Sequence, residues 1–261
     1  MSSPIIPGGT FHDNASPVLA QHQDGISWLR LNQPDRLNAL SAAMVEDLIS
    51  GLDEALAKRS RLVVFTGEGR AFSAGFDLSG LDTQSDADLL YRFVRLEQLL
   101  QKIYQLPVTT VALVNGRAFG AAADIIATCR HRIASPDCSF RMPGLQFGVV
   151  LGTRRLGALI GADAALDLLE TSRVFSASEA LDNGFLTNIR SQDDWPNLVL
   201  ELGQKASNLN REAKEALLSA SRGDANIISR MNADLVELVK SCTKPGLGDR
   251  LRNFVISQVK K

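Results

Sequence analysis

Two runs of small residues carry the chemistry that can be read from this chain. The first is Arg70-Ala71-Phe72-Ser73-Ala74-Gly75-Phe76-Asp77-Leu78, and the second is Asn115-Gly116-Arg117-Ala118-Phe119-Gly120-Ala121-Ala122-Ala123-Asp124. Each follows a strand-like stretch, Leu62 to Thr66 and then Thr109 to Val114. Where no side chain intervenes, main chain can approach a ligand closely. Two strand-to-helix turns with exposed backbone N–H groups suffice for a two-donor oxyanion hole, which points to carbonyl activation. The plainer alternative is that both runs only allow helix and strand to pack closely. Asp124 reads either as a general acid/base or as a first-turn acid that stabilises a helix dipole. Asp77 reads as structural, accepting from the N–H groups of its own turn.

These runs need elements to hold them. Val18 to Gln23 and Gly25 to Leu31 read as two strands joined at Asp24-Gly25, a strong hairpin dipeptide. Ser41 caps a helix from Ala42 to about Arg59, with Met44, Val45, Leu48, Ile49, Leu52, Ala55 and Leu56 on one face. Leu62 to Thr66 is then a buried strand ending at Gly67, and the order strand, helix, strand implies a right-handed crossover and a parallel sheet. A helix from about Ala87 to Leu106 is closed by Pro107. The strand Thr109 to Val114 follows, and a small-residue helix is expected from Ala118 to Thr128. His131 to Ala134 and Cys138 to Arg141 read as short strands. Beyond Leu151 the pattern is helical: Ser176-Ala177-Ser178-Glu179 opens a helix that Asn183-Gly184 stops. Three or four amphipathic helices follow from about Asp194, with turns at Arg222-Gly223-Asp224 and Pro245-Gly246. The division expected is a core over residues 1–190 and a helical region over 191–261, the latter suited to self-association.

Bulk properties narrow the function. The 261 residues are 45% hydrophobic and 22% charged, with a formal net charge of −1, and Lys and Arg are spread rather than clustered. That disfavours a nucleic-acid surface. Cys129, Cys138 and Cys242 have no CxxC spacing, which argues against a disulfide framework and against a zinc site. No window approaches a membrane span, and Met1 to Ser16 lacks the basic-then-apolar pattern of a signal peptide. The expected location is cytoplasmic. No GxGxxG follows the first strand, so a dinucleotide-binding oxidoreductase is disfavoured. His12 and His22 carry no pattern, and His131 reads as a strand residue facing solvent or a subunit contact.

The motifs, in this order, resemble the crotonase superfamily, the enoyl-CoA hydratase/isomerase family. They are Asn32-Gln33-Pro34-Asp35-Arg36-Leu37-Asn38-Ala39-Leu40, Phe65 to Leu78, Pro107 to Gly116 and Ser176 to Gly184. The resemblance implies an α/β fold, a crotonase-like spiral of ββα units with a C-terminal helical trimerisation region, assembled as a homotrimer or homohexamer. It implies an acyl-CoA thioester substrate, with coenzyme A entering as part of the substrate, no further cofactor and no metal. It makes the N–H groups of Phe76 and Ala121 the oxyanion donors. Ala74 and Leu78 would meet the adenine, and Arg36 the phosphate or pantetheine region of coenzyme A.

The departures from the family pattern bear on the reaction. Hydratases carry a catalytic Glu at the end of the second run, where this chain has Asp124, and another directly after a Pro, where it has Gly144. Hydration calls for two carboxylates, so isomerisation of a double bond is expected before hydration, with decarboxylation of a malonyl-type thioester close behind. A non-catalytic acyl-CoA binding protein and a C–C or thioester hydrolase are the rival readings. Arg141, Gln146, Arg154 and Arg155 surround the altered segment. They read as solvated or salt-bridged surface, with contact to a polar acyl group as the alternative.

Overall fold

A computed structural model describes residues 16–221 and 227–259. The hairpin is as expected: β1 (Val18–Gln23) and β2 (Ile26–Leu31) pair antiparallel across Asp24 and Gly25, both at positive φ. The Ser41 hydroxyl accepts from Met44 N and opens α1 (Ala42–Ala57). Next come β3 (Leu62–Gly67), β4 (Ala71–Ser73) and α2 (Asp86–Gln105), the helix opened by a reciprocal Ser85–Asp88 capping box. The same sequence of elements repeats as β5 (Thr109–Val114), β6 (Arg117–Phe119) and α3 (Ala121–Thr128). It begins again with β7 (His131–Ala134) and β8 (Ser139–Arg141), then α4 (Thr153–Ile160) and α5 (Ala162–Thr171). After β9 (Phe175–Ser176), α6 (Ala177–Asp182) and β10 (Asn188–Ile189), the chain continues as α7 (Trp195–Ala206), α8 (Arg211–Ser221), α9 (Ile227–Cys242) and α10 (Leu247–Val259). The turn read at Arg222-Gly223-Asp224, His12 and the reading of the first fifteen residues lie outside the described residues.

Each repeat places a long strand in one sheet and a short strand in a second, so the chain climbs as a spiral. The large sheet has the order β1-β2-β3-β5-β7-β10, parallel except for β1. The small sheet has the order β4-β6-β8-β9. One expectation is corrected here. The helix predicted from Ala118 starts only at Ala121, because Arg117–Phe119 pairs in parallel with Ser139–Arg141 and with β4. A three-residue strand is too short to show a period of two, and its small residues read equally well as helix.

The large sheet is buried on both faces, as a parallel sheet covered by helices must be. Leu62, Val64, Val111, Leu113 and Ile133 pack against Trp195, Val199 and Leu202 of α7. Val63, Phe65, Ala112 and Val114 face α1, α2 and α3 through Leu48, Leu96, Leu100 and Ile126. The last two helices fold back over this core. Leu238, Cys242, Leu247 and Leu251 join Leu89 and Phe93 of α2 and Phe147.

Candidate active site

The turn after β4 is pinned to the 37–40 segment: Ala74 N donates to Leu37 O, Leu40 N to Gly75 O, and Asp77 N to Leu40 O. Gly75 N is satisfied by Ser73 Oγ at 3.0 Å. That leaves the Phe76 amide as the donor of this turn with no intramolecular acceptor among the described residues. In the second turn Gly120 N donates to Arg141 O at 2.7 Å, and Ala123 N and Asp124 N return to Gly120 O. Ala121 N, at the first position of α3, has no acceptor, as the opening amides of a helix lack intrahelical partners. The two turns touch. A Cβ on Gly75 would stand 2.2 Å from Phe119 O and 3.3 Å from Ala121 N. Gly75, at φ +86°, is what lets them come so close.

Phe76, Ala121 and Asp124 line one cleft, together with Ala74, Leu78 and Gly144. The cleft encloses about 650 Å³ of empty space, its open mouth included. Apart from Thr153 its remaining walls are apolar, among them Met142, Phe147, Val149, Leu151 and Phe254. The Phe76 ring stacks on Phe93 at 4.1 Å, with Arg92 Cζ 4.2 Å from the ring centre, so the side chain is held while its amide is free. Phe254 comes from α10, so the C-terminal helical region builds part of the wall.

Asp124 is buried, and its Oδ1 has no hydrogen-bond partner among the described residues. It therefore does not cap its helix. Burial pushes its carboxyl up to about 8; the nearby Arg155 charge opposes that rise and Glu97 adds to it. Gly152, at φ +67°, leaves the carboxylate its room, since a Cβ there would fall 1.8 Å from Oδ1. Below Asp124 lies an ion-pair network that the sequence reading placed on the surface. Arg155 Nη1 and Nη2 donate to Glu97 at 2.8 and 2.5 Å, and Nη1 also reaches Asp234 at 3.3 Å. Arg155 and Glu97 are both almost fully buried. Arg154 takes Asp234 in a two-pronged pair at 2.8 and 2.6 Å. A signal for Glu97 existed: Phe93, Glu97 and Leu100 share the inward face of α2 at spacings of four and three.

Arg36 is not among the cleft-lining residues. It is exposed, and its Nη2 donates to both Asp77 oxygens at 3.0 and 2.9 Å and to Ser79 Oγ. Asp77 does hold its own turn, accepting from Ser79 N at 2.9 Å. Arg141 is spent on Ser172 O, Gln258 and Gln146, tying β8 to α10. Cys129 is buried in the core and its thiol is pushed up to about 12 by that burial, so it is inert. Among the described residues no cluster of His, Cys, Asp or Glu could hold a metal ion, and no helix is long and apolar enough to cross a membrane.

The Enoyl-CoA hydratase/isomerase family profile matches residues 21–240, a span that includes both turns, Asp124 and Gly144. The chain belongs to the enoyl-CoA hydratase/isomerase family. Human mitochondrial enoyl-CoA hydratase domain-containing protein 3 is 30% identical over 223 residues, covering 84% of this chain and 72% of that protein. The zebrafish protein of the same name is 31% identical over 203 residues, covering 76% and 70%. A crystal structure of a Bordetella parapertussis protein put forward as an enoyl-CoA hydratase/isomerase is 41% identical and superposes with a TM-score of 0.88, over 92% of this chain and 99% of that one. Matches to the enoyl-CoA hydratase domain-containing protein 3 group span 65% to 72% of those proteins' length.

Proposed function

We propose that this family member is an acyl-CoA enzyme that forms a thioester enolate between the N–H groups of Phe76 and Ala121, with Asp124 carrying the proton. The observation that supports this most is the pairing of two unspent amides, on touching turns, with a single buried carboxyl in the same cleft. Two donors preorganised toward one oxygen act where negative charge grows in the transition state. Asp124 is the only acid or base among the described residues that line the cleft. Gly144 supplies no carboxylate to activate water, which sets hydration aside.

Double-bond isomerisation fits one carboxyl. Asp124, ionised, takes the α-proton of a β,γ-enoyl thioester; the electron pair moves onto the carbonyl oxygen; Asp124, now protonated, returns the proton at the γ-carbon. The apolar walls suit a hydrocarbon acyl group. Decarboxylation is the second reading, favoured by the raised pKa of Asp124, which keeps a proton ready for an enolate left by departing carbon dioxide. Against it, no Lys, Arg or His is among the cleft-lining residues to meet a substrate carboxylate.

The proposal keeps coenzyme A as the carried group, with Ala74 and Leu78 beside its adenine and Arg36 near its phosphates. It also keeps a homotrimeric or homohexameric assembly and a cytoplasmic setting. The test is α-proton exchange of short, branched and aromatic acyl-CoA esters in deuterated water, followed by NMR. Exchange by the wild type and its loss in Asp124→Asn are expected. Tight binding of the esters without any exchange would make the chain a binding protein instead.

A further inference from the structure

A second group of cavities lies at the other end of the large sheet. The sheet's parallel strands start together, so Leu62, Thr109 and His131 stand at the edge opposite the turns that build the cleft. Two adjoining cavities open there beneath α7 and α8, sharing Val108, Leu209 and Lys214 as walls. They enclose about 710 and 880 Å³ of empty space, open solvent included. Among their described lining residues are six cations, Arg59, Arg61, Arg130, Lys205, Arg211 and Lys214, and one acid, Glu212.

Most of that charge is uncompensated. Lys205 pairs with Glu201 at 2.6 Å and Arg211 with Glu215 at 3.2 Å, both at exposed positions. Arg59, Arg61, Arg130 and Lys214 have no carboxylate partner among the described residues. Arg61 Nε is turned to Gly203 O at 3.2 Å, and Lys214 Nζ to Arg61 O at 3.4 Å, so these two are gathered by backbone carbonyls rather than by acids. His131 is half-buried among them rather than simply facing solvent. Several like charges around one cavity raise a positive potential that is relieved by an anion. Guanidinium forks fit phosphate oxygens, and a lysine adds a point charge. The apolar floor of Val108, Leu202 and Ala206 can take the organic part of such a ligand.

We propose that this groove is a binding site for a small phosphate-bearing anion, held by Arg61, Arg130 and Lys214 at the opposite end of the sheet from the acyl-CoA cleft. The electrostatics agree with that placement. Burial together with Arg61 and Arg130 lowers the pKa of Lys214, and burial together with Arg130, Arg132 and Lys205 holds His131 at about 4. A bound anion offsets the cationic part of the second effect, so the His131 imidazole takes up a proton at higher pH.

The test titrates the full chain with inorganic pyrophosphate, read by calorimetry and by the ring resonances of His131. Saturable binding is expected, with the His131 resonances shifted. Lys214→Ala and Arg130→Ala should each weaken it about ten- to a hundredfold, the weight of one charge-assisted hydrogen bond, while α-proton exchange is unchanged. The proposal is overturned if millimolar pyrophosphate shows no saturable binding. It is overturned equally if Lys214→Ala and Arg130→Ala bind as the wild type does, or if Arg36→Ala removes the binding, which would assign it to the cleft.

Discussion

Gly75→Ala separates the geometry of the proposed oxyanion hole from the stability of the fold. The new Cβ would meet Phe119 O at 2.2 Å and Ala121 N at 3.3 Å, and a contact below 3.0 Å with main chain cannot persist. The turns must part, and the amides of Phe76 and Ala121 could then no longer serve one oxygen as proposed. Removing one such donor costs about 3 kcal/mol in the transition state, a fall in kcat of about 10²–10³. Ala at φ +86° also strains the backbone by about 1–2 kcal/mol. Gly161→Ala supplies the control: its φ is +87° and nothing lies within 4 Å of the added Cβ. Both variants should lower the urea midpoint, yet only Gly75→Ala should lose α-proton exchange and turnover. Wild-type turnover by a folded Gly75→Ala protein would refute the reasoning, as would equal losses in both variants.

Four further outcomes follow from the same site. Exchange initiated by ionised Asp124 should rise with pH through about 8, and Asp124→Asn should be flat in pH and slower by about 10²–10⁴; a rate that falls with pH through about 8 would favour decarboxylation. The raised carboxyl also has a stability signature: between the ordinary value of 3.8 and about 8 the unfolded chain gives up a proton that the folded chain keeps. Wild type should therefore lose stability relative to Asp124→Asn as pH rises across that window, measured by denaturant unfolding. Arg155→Met should destabilise by about 3–5 kcal/mol because it strands Glu97, and Arg155→Met with Glu97→Met should recover most of that loss; urea midpoints decide. Gly144→Glu with Asp124→Glu should introduce hydration of an enoyl-CoA, seen as loss of its ultraviolet absorbance, at the cost of a few tenths of an ångström from Val149 O, 3.1 Å from the added Cβ.

Local chemistry made much of this fold legible. Asp24-Gly25 turns the first hairpin because both residues take positive φ, and Ser41 starts α1 because its hydroxyl replaces a missing backbone acceptor. The strands at Leu62 and Thr109 announce themselves through unbroken β-branched and apolar runs. The small second sheet was hidden, since Ala71–Ser73 and Arg117–Phe119 are strands only because other turns of the spiral pair with them. Phe76, Ala121 and Asp124 line one cleft, and they were legible because glycine and alanine mark close backbone approach. Arg155 and Glu97 were missed as core residues because charge is ordinarily read as solvent-facing, and only the partner on another helix makes burial tolerable. The resemblance sets Arg36 at the phosphate or pantetheine region of coenzyme A, whereas its pair with Asp77 depends on a turn distant in the chain and has no local signal.

The central claim is that two amides polarise one thioester carbonyl, and isotope-edited infrared spectroscopy of a bound acyl-CoA labelled at that carbon measures it directly. A stretch lowered on binding to wild type, and restored toward the free frequency in Gly75→Ala, is the predicted result. A bound carbonyl that absorbs where the free thioester does would contradict the account.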